Sequence, residues 1–146
     1  MAMLARDVMT PKPARCSPRT TLDVVAKLMV KHNCGEIPVV DTADQIIGVV
    51  TDRDIVCRVV AEGKNPSSYT AESCMSFPVV TLPADASLEE VISTMEGHQI
   101  RRLPVVDDEG CCAGIISQAD VVFAGAPKQT AELLCELSRD KGMTSI

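Results

Sequence analysis

The sequence predicts a mixed α/β (α+β) fold made of two tandem β-α-β-β-α repeats, and three observations carry that expectation. The stretch Ile37-Pro38-Val39-Val40-Asp41 recurs as Leu103-Pro104-Val105-Val106-Asp107, a shift of 66 positions. The same shift, with no gap, pairs Met9 with Met75, Leu22 with Leu88, Met29 with Met95, His32 with His98, Gly48 with Gly114, Thr51 with Ser117 and Asp54 with Asp120. Within each copy the apolar spacing changes from helical to strand-like and back again.

Each element follows from its residues. After a Met-Thr or Met-Ser pair comes a short extended piece, Lys12 to Cys16 or Pro78 to Leu82. The next segment places Leu22, Val25, Ala26 and Met29, or Leu88, Val91, Ile92 and Met95, on one face of a helix. Ser87 with Glu90 forms a capping box ahead of the second of these helices, and Thr20 with Asp23 a weaker version ahead of the first. Pro38 and Pro104 open Val-rich strands, and acidic turns (Asp41 to Asp44, Asp107 to Gly110) lead into second strands, Ile46 to Thr51 and Ala113 to Ser117. A last helix starts at Asp52 or Gln118. The copies span residues 3–62 and 70–126, a polar linker occupies 63–69, and a tail over 127–146 carries a short helix, Thr130 to Arg139, with Leu133, Leu134 and Leu137 on one side. Residues 140–146 read as frayed.

Composition limits the function. The chain has 146 residues, a net charge of −6, no Trp, one Tyr and two Phe. An acidic chain without aromatic platforms suits neither duplex nor single-stranded nucleic acid. The longest apolar runs are too short to span a bilayer and the N-terminus lacks a signal-peptide core, so the expectation is a soluble, cytoplasmic protein with no membrane partner. Seven cysteines without a Cys-x-x-Cys read mainly as small apolar filler such as Cys34 and Cys57, with a thiol-redox sensor as a minor alternative and no metal site. The two histidines, duplicated at helix ends, read as caps for helix carbonyls. No catalytic constellation and no phosphate-binding glycine loop is present.

A tandem Met-Thr/Ser, then Leu/Ile-Pro-Val-Val-Asp, then Gly48-Val49-Val50-Thr51-Asp52-Arg53-Asp54 or Gly114-Ile115-Ile116-Ser117-Gln118-Ala119-Asp120, resembles a pair of CBS domains, a Bateman module of the stand-alone bacterial kind. The resemblance covers nearly the whole chain. It implies repeats packed about a pseudo-twofold axis with two clefts, each combining Asp and Ser/Thr from one repeat with the Met-Thr/Ser segment and first strand of the other.

The residues themselves suit binding better than catalysis. A carboxylate one helical turn after a hydroxyl, just past a strand end, is placed to grasp a vicinal diol, with charge-assisted hydrogen bonds of roughly 1.5–3 kcal/mol each. Capping alone explains the hydroxyl, but less readily an Asp at one fixed offset in both copies. The resemblance implies one adenosine-nucleotide site from Ser117, Asp120, Thr10, Lys12 and Ala14, and another from Thr51, Asp54, Ser76, Val79 and Val80. The adenine would lie among aliphatic residues such as Ile37 and Leu103. Arg102, beside Arg101, corresponds to Glu36, so the Ser117/Asp120 cleft is expected to hold phosphates better. Arg53 could serve the other site or a surface acid. The reading is a regulatory sensor of AMP, ADP, ATP or NAD that needs no cofactor and is no enzyme. A homodimer through the helices and an unknown regulated protein would be its partners. The alternative is an assembly module with vestigial clefts.

Overall fold

The computed structural model describes residues 3–124 and 127–138, so the expected frayed end and Arg139 lie outside the described residues. The elements in order are α1 (Ala5–Val8), β1 (Thr10–Pro11), α2 (Leu22–His32), β2 (Glu36–Val40), β3 (Ile46–Thr51) and α3 (Asp52–Ile55), which runs on into a π-helical turn (Val56–Val60). A 3-10 turn (Pro66–Ser68), α4 (Ala71–Cys74), β4 (Leu82–Pro83), α5 (Leu88–His98), β5 (Arg102–Val106), β6 (Cys112–Ser117), α6 (Gln118–Ala124) and α7 (Pro127–Ser138) complete the chain.

The expected helices and paired strands are present, with local differences. The extended pieces expected over 12–16 and 78–82 give only the short strands β1 and β4, plus a single parallel bridge from Cys16 to Val39. Strands β2 and β5 start two residues before their prolines. Proline removes a donor but keeps its acceptor, and Pro38 O accepts from Cys16 N at 2.9 Å, so β2 runs through it. The first long helix is capped at Thr21 rather than Thr20, with no side-chain cap bond, whereas Ser87 and Glu90 form the full capping box.

Two compact units result, and they cut across the sequence repeats. One unit, here the Asp54 unit, comprises Lys12–Val80 and Val106–Ala113; the other, the Asp120 unit, comprises Met1–Pro11, Thr81–Val105 and Gly114–Ile146. The cause is an exchange of leading segments, visible in matched hydrogen bonds. Ala5 N donates to Ala86 O, Arg6 N to Ala84 O and Leu88 N to Met3 O; shifted by one repeat, Ala71 N donates to Thr20 O, Glu72 N to Pro18 O and Leu22 N to Tyr69 O. Each segment before a repeat therefore folds on the other repeat.

In the Asp54 unit, antiparallel β2 and β3 pair from Glu36↔Thr51 to Val40↔Ile46, with an irregularity at Val39/Val40. Leu22, Val25, Met29, Ile37, Val39, Val50, Ile55, Val59 and Cys74 form its buried cluster. The Asp120 unit contains most of a four-stranded sheet in the order β1-β6-β5-β4, with β1 antiparallel to β6. Val91, Ile92, Met95, Leu103, Val105, Ile116 and Val121 are buried in it, and α7 adds Leu133 and Leu137. All three aromatics are on the surface, at 37% (Tyr69), 68% (Phe77) and 90% (Phe123) exposure, so the core is aliphatic.

The duplicated glycines seat the exchanged methionines. A Cβ on Gly48 would overlap the end of the Met75 side chain; one on Gly114 would overlap Met9 Sδ and also lie 2.9 Å from the Thr10 carbonyl. A thioether can swing aside, but that carbonyl belongs to the β1–β6 ladder. Gly114→Ala is therefore expected to cost about 1–3 kcal/mol in urea unfolding, and Gly48→Ala clearly less.

Candidate functional site

At the end of β3 the chain turns directly into α3, and Thr51 and Asp54 close the turn reciprocally. Asp54 N donates to Thr51 Oγ1 at 3.0 Å, and Thr51 N donates to Asp54 Oδ2 at 2.9 Å. The second repeat repeats this: Asp120 N to Ser117 Oγ at 3.2 Å and Ser117 N to Asp120 Oδ2 at 2.8 Å. These are capping boxes, so the fixed Asp offset that seemed to exceed a capping role has a structural reason after all. The box uses Oδ2 in both copies. Oδ1 of each carboxylate is held out of it, on a side chain already fixed in one rotamer.

Around Asp54 the exchanged segment completes the site. Ser76 is bridged to Val49, its N donating to Val49 O at 2.8 Å and its O accepting from Val49 N at 3.1 Å. Its hydroxyl lies 3.4 Å from Asp54 Oδ1 and 3.5 Å from Oδ2. Thr51, Asp54 and Ser76 are thus brought together as expected, and half-buried Val79 and Val80 follow on the same segment.

The sequence reading missed Arg58. Its Nη1 donates to Cys74 O at 3.1 Å and Met75 O at 3.4 Å, and its Nε lies 3.8 Å from Asp54 Oδ1. The signal was a basic residue one turn after Asp54, where the second repeat has Ala124. The π-helical turn, which closes with Ala61 N on Val56 O, sets its direction and could not be read from periodicity.

In the Asp120 unit, β1 lays Thr10 opposite Ile115, two residues before Ser117. Thr10 is exposed and its hydroxyl makes no hydrogen bond among the described residues, unlike Ser76. Arg101 and Arg102 line an open cavity of about 460 Å³ with Ser117, Gln118 and Phe123. Lys12 and Ala14 belong to the other unit. Two expectations need correction: Ile37 and Leu103 are 0% exposed, because their side chains fill the cores behind the strands, and so present no surface to a purine.

The histidines do not cap. Asn33 and Gln99, at duplicated positions in the left-handed region, end α2 and α5, their N–H groups bonding Met29 O and Val30 O, and Met95 O and Glu96 O. Both imidazoles are exposed. Among the described residues no three His, Cys, Asp or Glu side chains are grouped to hold a metal, and no helix is long and apolar enough to cross a membrane.

A family model for the CBS domain matches residues 5–61 and again 71–126. The chain belongs to the CBS-domain family. It is 40% identical over 126 residues to the CBS domain-containing protein YhcV of Bacillus subtilis, covering 86% of this chain and 88% of that one. It is 39% identical over 117 residues to protein MK0525 of Methanopyrus kandleri, covering 80% of this chain and 57% of that one. Among solved structures, the CBS pair of protein MJ0100 in complex with 5′-methylthioadenosine and S-adenosyl-L-methionine superposes with a TM-score of 0.77 at 27% identity, over 85% of this chain and 96% of that one. CBSX2 in complex with AMP gives 0.72 at 25% identity, over 83% and 94%. The CBS pair here is thus a tandem-repeat regulatory module with adenosine-binding neighbours.

The cysteines divide by environment. Cys16, Cys74 and Cys112 are buried, but Cys34, Cys57 and Cys135 are exposed, so Cys34 and Cys57 are not the core filler expected of them. Cys34 follows the left-handed end of α2 and Cys57 sits on the outer side of the π turn. Burial pushes the Cys16 thiol up to about 11, from an ordinary value near 9. The folded state thus binds more protons between those two values, and stability falls as pH rises through that window. Unfolding midpoints measured from pH 8 to 11 are expected to drop less steeply in Cys16→Ala. With a thiol reagent at pH 8, Cys34, Cys57 and Cys135 should react in the native protein, and Cys16 only on unfolding.

Proposed function

We propose that this CBS pair binds adenosine-type ligands of the AMP, ADP, ATP or NAD kind as a sensor, without catalysis, through Thr51, Asp54 and Ser76 in one unit and Thr10, Ser117, Asp120 and Arg102 in the other. The observation that supports this most is the duplicated capping box. Each box fixes a carboxylate beside a strand end with Oδ1 outside the box. A ribose diol is a pair of donors that such an oxygen accepts well, and the hydroxyl of Thr51 or Ser117 lies next to it. Neighbours that hold AMP, or methylthioadenosine and S-adenosylmethionine, support the ligand class. Val79 and Val80, on the segment that follows Ser76, are assigned to the walls of the Thr51/Asp54 site. Signalling follows if ligand binding favours one arrangement of the repeats or subunits over another.

Thermal unfolding under reducing conditions tests the reading with AMP, ATP, NAD and S-adenosylmethionine. A true ligand at 100 times its dissociation constant adds about 2.7 kcal/mol. Asp120→Ala should remove most of the gain from AMP. Four flat traces would refute the sensor and leave an assembly module.

Homodimerisation through the helices is part of the same proposal. Val30, Val56 and Val60 are 83%, 57% and 56% exposed, and Ala26, Met29 and Val30 border an open groove of about 670 Å³ with Ile55 and Val56. In the Asp120 unit the corresponding helix is covered by α7, through Leu133 and Leu137, with Gln99 Nε2 on Glu136 Oε1 at 2.9 Å. Light scattering should show a mass near twice 15.6 kDa, and the double substitution Val30→Glu, Val56→Glu should return it to 15.6 kDa. A monomeric wild type would rule the dimer out.

A further inference from the structure

The duplication gives the molecule two matched helix faces, one covered and its counterpart open. In the Asp54 unit the open groove is lined by Ala26, Met29, Val30, Ile55 and Val56. Shifted by 66 positions, the same places hold Ile92, Met95, Glu96, Val121 and Val122 in the Asp120 unit. There α7 packs against both α5 and α6. Burial follows the cover: Met29 and Ile55 keep 7% and 8% exposure, whereas Met95 and Val121 keep none.

Two features tie α7 to the Asp120 unit. Leu133 and Leu137, one helical turn apart, are both buried, so the apolar side of α7 is spent on this contact. Arg101 Nη2 then donates to Leu137 O at 3.4 Å, a carbonyl of the last turn that a helix cannot satisfy by itself. Gln99 adds its bond to Glu136. Where the Asp120 unit has Arg101, the Asp54 unit has Gly35, so no side chain at that position reaches for the end of a helix. The start of α7 also lies only three positions after the end of α6, which keeps it beside this face.

The two faces differ in charge. Helix α2 carries Lys27 and Lys31, both exposed, with Asp23; α5 carries Glu89, Glu90 and Glu96, and has Ser93 and Gly97 in place of the two lysines. An apolar face with an acidic rim suits an apolar groove with a basic one. We propose, resting on the association through helices put forward above, that α7 is a built-in mask: it covers a face that matches the α2 groove of a second copy. With both faces bare, copies would join α5 to α2, a heterologous contact that runs on into rings or filaments. With α7 in place that contact is closed off, and the α2 groove pairs with its own counterpart in a closed dimer.

Light scattering on full-length variants tests this. Leu133→Gln with Leu137→Gln releases α7 and should at least double the mass of the wild type at the same concentration. Arg101→Ala with Glu136→Ala releases it without touching a buried leucine, and should give the same rise at higher concentration. Adding Lys27→Glu and Lys31→Glu should return either variant to the wild-type mass. That reversal turns attraction into repulsion across an α5-to-α2 contact, but only exchanges one like-charged pair for another across an α2-to-α2 contact. In the chain with α7 in place it should therefore leave the mass unchanged. Wild-type mass in both released variants would overturn the mask, and a rise that survives the lysine reversal would overturn the pairing with α2. A monomeric wild type would end the dimer reading alone, since a rise on release would still uphold the mask.

Discussion

The exchange of leading segments is the constraint on which the rest of the structure depends. Ala5 bonds Ala86 and Ala71 bonds Thr20, so neither repeat closes its own edge. The consequence reaches the sites. Ser76 arrives beside Asp54, and Thr10 beside the strand that ends at Ser117, only because the chain before each repeat is folded onto the other. The glycines at 48 and 114 follow from the same constraint. They are conformationally ordinary residues whose missing Cβ leaves room for a methionine of the visiting segment.

A binding carboxylate that is also half of a capping box resolves a conflict. An unpaired Asp near a strand end is costly to order, and a fully paired one is useless to a ligand. The box fixes the side chain through one oxygen and leaves the other, so orientation is set by the fold before any ligand arrives. Around Asp54 the second oxygen is already approached by Ser76 and Arg58. A ligand hydroxyl there would compete with the exchanged segment, whereas around Asp120 the described residues offer no such competitor.

Much of this was legible in the sequence because duplication supplies its own control. The ungapped shift located both helices, both hairpins and both Thr/Ser-Asp pairs, since two copies under the same packing demands keep the same apolar spacing. What the shift could not show was where the copies differ physically. Thr20 and Thr21 are both plausible caps, and only the backbone decides. The π turn breaks the helical period at Val56, which re-aims Arg58 toward Cys74 and Met75. Ile37 and Leu103 read as purine walls from the family resemblance, but a strand alternates its faces, and theirs is the core. Cys34 and Cys57 have apolar neighbours in sequence and solvent in space.

The near absence of aromatics looks different once burial is known. The three present are all on the surface, so the two half-cores are closed with Val, Ile, Leu, Met, Ala and Cys. Leu, Ile and Met are close in volume, and a core rich in them tolerates exchange among them with small changes in packing. Divergence can then concentrate on outer positions, as it does at Val30 and Glu96, or Gly35 and Arg101, without disturbing the scaffold. A fold that keeps its interior interchangeable is free to leave one copy of a helix face open while the other takes up α7.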